Sequence, residues 1–74
     1  MKEKELVKEV CKYHIDGIAH KREKGIHADI LGQFLYLIYP KYDEYIDEVL
    51  QRIKGQIYKA RTLAAFMVHY YQKN

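Results

Sequence analysis

The chain has 74 residues, 49% hydrophobic and 31% charged, with four glycines, one proline and no tryptophan, a composition that fits one small folded domain and excludes a linker or a two-domain protein. Its single cysteine, Cys11, excludes an internal disulfide and suits a reducing compartment, so a cytoplasmic location is expected. The net charge of +3 hides a gradient: residues 1–25 carry +2, residues 26–50 carry −4, and residues 51–74, which contain no acid, carry +5.

The first segment, roughly Lys2 to Lys24, mixes acids and bases from its start, unlike the basic-then-apolar order of a secretory leader. At 100° per residue, Val7, Val10, Cys11, His14 and Ile18 form one stripe, with Leu6 and Ile15 at its margins. Lys8, Lys12, Glu5, Glu9, Asp16 and His20 lie opposite. The segment therefore reads as an amphipathic helix that Gly25 stops, behind Lys21, Arg22 and Lys24 in its last turn.

In the second segment, about Ala28 to Tyr39, the residues Ile30, Leu31, Phe34, Leu35, Leu37 and Ile38 share one arc, leaving Asp29, Gly32, Gln33 and Tyr36 opposite. A short helix is predicted. The rival reading is a strand over FLYLIY, which has no second strand to pair with. This run and Leu63 to Val68 are the longest apolar stretches, far short of the about 20 residues of a membrane span.

The third segment follows Pro40, which suits a first helical turn, and places Asp43, Glu44, Asp47 and Glu48 where the helix dipole favours anions. Tyr42, Ile46, Val49, Leu50, Ile53, Ile57, Ala60, Ala64 and Met67 form a stripe that keeps its phase across Gly55. A continuous helix is predicted, so the single domain, residues 1–74, carries helices at about 2–24, 28–39 and 41–72. This is an all-α three-helix bundle whose last helix, about 45 Å long, overshoots the other two. The overshooting LAAFMVHYY is apolar all round and needs cover. A homodimer through Leu63, Phe66, Met67, Tyr70 and Tyr71 supplies it; a bend at Gly55 that folds the segment back as a fourth helix is the alternative.

Cys11 and His14, three residues apart on one face, could hold a metal ion with His27 or His69, but zinc sites announce themselves with two ligand pairs, and both residues sit in the apolar stripe. No metal or cofactor is expected. Nor is an enzyme, since the chain has no Ser, one Thr, no phosphate-binding glycine loop and no paired carboxylates on an apolar face. The remaining chemistry is basic and aromatic. Arg52, Lys54, Lys59 and Arg61 flank the third stripe and suit phosphate contacts, with Lys21, Arg22 and Lys24 as an auxiliary patch.

The order GIHADILGQF, short connection, PKYDEYIDEVLQRIK loosely resembles the tri-helical core of small helix-turn-helix regulators, with ADILGQF as the supporting helix and Lys41 to Lys54 as the reader. The apolar connection LYLIYP and the acids Asp43, Glu44, Asp47 and Glu48 depart from that pattern, and these acids repel phosphate. The expected contact is therefore the acid-free half from Arg52 onward. The function expected is a small nucleic-acid-binding or transcription-regulatory protein. The alternative is a non-catalytic module, an adaptor or inhibitor, whose Tyr-rich and apolar surfaces dock on another protein.

Overall fold

The computed structural model describes residues 2–20 and 22–73, and the described residues form four helices and no strand: α1 (Glu3–His20), α2 (Lys24–Ile38), α3 (Asp43–Arg52) and α4 (Gln56–Lys73). The all-α expectation holds, whereas the three-helix count does not, because the third predicted helix is two. It stops at Arg52, Ile53 turns into extended backbone (φ −74, ψ 127) and buries its side chain, and Gly55 takes φ +92 before α4 begins. A positive φ is cheap only for glycine, so Gly55 is where the chain can reverse. The gain is burial, since reversal lays α4 against α2.

The α1–α2 boundary also shifts. Gly25 lies inside the first turn of α2 and does not end α1; Glu23, with φ 60, turns the chain instead, and its carbonyl accepts the His27 backbone N–H at 3.1 Å. Of the candidate strand, Phe34 to Tyr39, the residues up to Ile38 are helical and Tyr39 caps the helix in extended backbone.

The core consists of Val7, Cys11, Ile15 and Ile18 from α1, Ala28, Leu31 and Leu35 from α2, Ile46 and Val49 from α3, and Ile53, with Phe34, Ile38, Tyr42, Tyr45, Leu50, Tyr58 and Phe66 packed against it. Each fully buried aliphatic side chain contributes about 1.5–3 kcal/mol of transfer free energy. The α1 stripe is thus as expected at Val7, Cys11, His14, Ile15 and Ile18, whereas Val10 is only half-buried and Leu6 stays exposed.

In α2 the expected face is split. Leu31 and Leu35 are buried, but Leu37 is 69% exposed, while Gly32, assigned to the outer side, is buried. A Cβ on Gly32 would run into the Thr62 carbonyl and stand 2.6 Å from the Ala65 Cβ. The absent side chain lets α4 cross α2 at close range, so α2 is covered by α1 on one side and by α4 on another.

The contacts also set direction. Lys24 meets Tyr58, Asp29 meets Arg61 and Tyr39 meets Tyr70, so α2 and α4 run parallel; Glu3 meets Tyr42 and Lys8 meets Tyr45, so α1 and α3 run parallel. Both tight reversals therefore lie at one end. The Cα trace spans 31 × 29 × 17 Å, and the helices keep exposed apolar side chains, among them Leu37, Ile57 and Tyr71.

Candidate functional site

At the end shared by the two reversals, Tyr58 is the meeting point. Its ring lies 6.0 Å from the Lys24 amine, at the outer limit of cation–π attraction, and would stand 3.2 Å from a Cβ on Gly55. The start of α2 and the α3–α4 turn are thereby joined, bringing exposed Arg22 and Lys54 and half-buried Lys24 and Lys59 to one end of the molecule. Sequence distance hides this gathering.

The other predicted phosphate contacts fare differently. Arg61 is engaged by Asp29 through two parallel bonds, Nε to Oδ1 at 2.8 Å and a second guanidinium nitrogen to Oδ2 at 3.0 Å, and its guanidinium crosses the face of Gly25. That hydrogen bonding holds the Asp29 carboxyl below the usual carboxylate range and raises Arg61. Arg61 thus joins α2 to α4 and neutralises an acid near the basic end. Arg52 lies near α1, where its charge acts on Cys11, Lys12 and Asp16, and bonds Tyr45 of its own helix. Lys21 lies outside the described residues.

The residues expected at a dimer interface divide as well. Phe66 and Tyr70 are half-buried against α2, with Phe66 edge-on to Tyr36 and Tyr39 at ring separations of 6.1 and 5.6 Å and Tyr70 6.0 Å from Tyr39. These tyrosines pack on one another, which accounts for part of the high tyrosine content without nucleic acid. Leu63, Met67 and Tyr71 remain exposed.

Leu63 and Met67 border a groove of about 290 Å³ between α3 and α4, lined by Leu35, Ile46, Leu50 and Phe66 and flanked on α3 by Asp43, Glu44 and Asp47. Among the described residues, no salt bridge reaches these three acids.

A third cluster pairs two histidines that the sequence grouped only as possible metal ligands. His14 of α1 and His27 of α2 face each other with Nδ1 to Nδ1 at 3.0 Å, so one ring donates and the other accepts. Tyr13 lies edge-on to both rings, and Gly17 makes room for His27, whose ring would come within 2.6 Å of a Cβ there. Burial, reinforced by His27, lowers the His14 pKa. The direct contact between the two rings, 13 residues apart, depends on the reversal at Glu23.

His69 stacks on Tyr36 instead, and among the described residues no group of three His, Cys, Asp or Glu is placed to hold a metal ion. Cys11 is fully buried, and burial pushes its thiol up to about 11, which keeps it protonated and out of reach. No described helix is long and apolar enough to cross a membrane.

Comparison of the chain with protein-family models, curated proteins and solved structures gave no match.

Proposed function

We propose that the chain is a small nucleic-acid-binding protein of regulatory type, acting as a homodimer, whose phosphate contacts are Arg22, Lys24 and Lys54 at the end where both chain reversals lie. The observation that carries this reading is the junction at Tyr58, which brings bases from two distant reversals to one end of the molecule. Arg61 supports the patch indirectly, by neutralising Asp29, an acid that would otherwise repel phosphate. Contacts of this kind position a backbone and carry no base code, so binding tolerates changes of sequence.

A gel shift with mixed-sequence duplex DNA at about 50 mM salt tests it: a retarded species should form and weaken steeply as salt rises. Lys24→Glu combined with Lys54→Glu should abolish the shift and leave the helical circular dichroism unchanged. Absence of a shift at micromolar protein, or a shift that survives the double reversal, contradicts the reading.

The groove between α3 and α4 favours a second reading, a non-catalytic module that docks on another protein. Under it, Leu63→Glu, far from the basic end, abolishes partner binding, and the double reversal leaves it intact.

A further inference from the structure

The stripe assigned to the core in the third segment separates at Gly55. Upstream, Ile46, Val49 and Ile53 are buried as expected, but downstream α4 turns a neighbouring face inward, through Thr62, Ala65 and Phe66. Ile57, Ala60, Ala64 and Met67, the continuation of the stripe, are left facing outward, with Ile57 73% exposed. Val68 and Tyr71 extend the same exposed face, and from position 62 to position 72 the sequence has no Lys, Arg, Asp or Glu. An apolar face running most of the length of an 18-residue helix is larger than the scattered apolar residues of an ordinary surface.

We infer that this face of α4, with the adjoining wall of α3, binds the same face of a second copy, with the two α4 helices antiparallel and crossing near Ala64. The apolar row extends about equally on both sides of Ala64, from Ile57 to Tyr71, so a two-fold axis there buries the whole row on both copies; the small side chains of Ala60 and Ala64 permit close approach.

Charge decides the direction. Asp43, Glu44 and Asp47 flank the α4 face near the end where α3 begins, and Lys59 lies toward the other end of α4 on the same side as Leu63. An antiparallel pair sets Lys59 of the second copy beside the three acids. A parallel pair, whose two-fold axis runs along the helices, puts the two α3 walls on opposite flanks and Lys59 level with its own counterpart, so it brings no Lys59 to the acids. A nucleic acid is repelled by the same acids, so the occupant is a protein surface. A specific dimer buries at least about 1,200 Å² in total, or about 600 Å² per copy. This is about a ninth of the 5324 Å² that one copy exposes.

The full chain at about 100 µM should sediment at twice its 8.9 kDa. Ala64→Glu and, separately, Met67→Glu, both at exposed helical positions, should return it to a monomer with unchanged circular dichroism. Lys59→Glu alone should weaken the dimer about tenfold, and adding Asp43→Lys and Asp47→Lys should restore it.

Orientation is read by cross-linking: Ile57→Cys protein mixed with Tyr71→Cys protein should form a mixed disulfide, and Ile57→Cys protein alone should not, Cys11 being buried and out of competition. A monomer at about 100 µM, a dimer that survives both glutamate substitutions, or efficient cross-linking of Ile57→Cys to itself would overturn the inference.

Discussion

At Gly32, the absence of a methyl group sets how near two helices come. The Thr62 carbonyl and the Ala65 Cβ occupy the space that any larger residue needs, and both belong to the α4 backbone or its nearest atoms, which cannot swing away. Gly32→Ala, although it improves helix propensity, should therefore cost about 1–3 kcal/mol of stability through overpacking. A urea midpoint equal to that of the parent chain would show that α4 does not cross there. Cys11 makes a second residue-scale prediction: with no exposure and a thiol pKa raised to about 11, it should react with iodoacetamide only as fast as the protein unfolds, and a native-state reaction at the rate of a free thiol would contradict the packing of α1.

The histidine pair sets a pH dependence whose sign follows from burial. His14 in the unfolded chain takes its proton near the ordinary value of 6.5, and in the folded chain only at a lower pH, because burial and His27 both oppose the charge. Between those two values the unfolded chain binds more protons, so stability rises with pH and falls as pH drops from about 6.5 through the folded-state pKa. Urea midpoints measured from pH 7.5 down to 5 should show that fall, and His14→Gln should flatten it. Glu3, Asp16 and Asp29, each held low by a cation or hydroxyl partner, add a further loss at more acid pH, below ordinary values of 4.5 and 3.8. An unchanged slope in His14→Gln would assign the dependence to other groups.

Among the elements, α4 is the one whose placement depends on a single backbone conformation. Gly55 at φ +92 lets the chain reverse, Ile53 is drawn into the core just before it, and α4 then covers the Gly32 side of α2. Gly55→Ala should destabilise the fold by about 1–2 kcal/mol, the cost of a left-handed residue with a side chain, which a thermal melt would register. No loss of midpoint would mean that α3 and α4 can adopt a continuous course. The same element shows what the sequence could and could not disclose. The buried α1 stripe and the positions Ile46 and Val49 are legible from the 3.6-residue period because each of these helices buries one stripe and leaves its opposite side polar and exposed. α2 has neighbours on two sides, so its Gly32 face reads as solvent. The rear of α4, Leu63 to Tyr71, is apolar around its circumference, and periodicity cannot say which part of such a segment turns inward; the reversal at Gly55, which the sequence offered only as the alternative to a continuous helix, determines that Thr62, Ala65 and Phe66 do.

For the whole molecule, the +3 net charge resolves into two regions. One end carries Arg22, Lys24 and Lys54, and the groove beside α4 carries Asp43, Glu44 and Asp47 without a salt bridge among the described residues. The sequence showed that an acidic middle precedes a basic end. It did not show that Arg61 is committed to Asp29 or that Arg52 lies where its charge acts on α1, because both depend on which helices become neighbours. α4 packs on α2 through Thr62, Ala65 and Phe66, and the side it leaves exposed is the face assigned to a second copy.

The central claim, that the basic end binds a nucleic-acid backbone, is tested most directly by the slope of log Kd against log salt for a fluorescent duplex, compared between the parent chain and Arg22→Gln, Lys24→Gln and Lys54→Gln. Each lost phosphate contact should reduce the slope by about 0.9, uniformly across duplex sequences, with the circular dichroism unchanged. A parent slope near zero, or three variants that keep the parent slope, would contradict it.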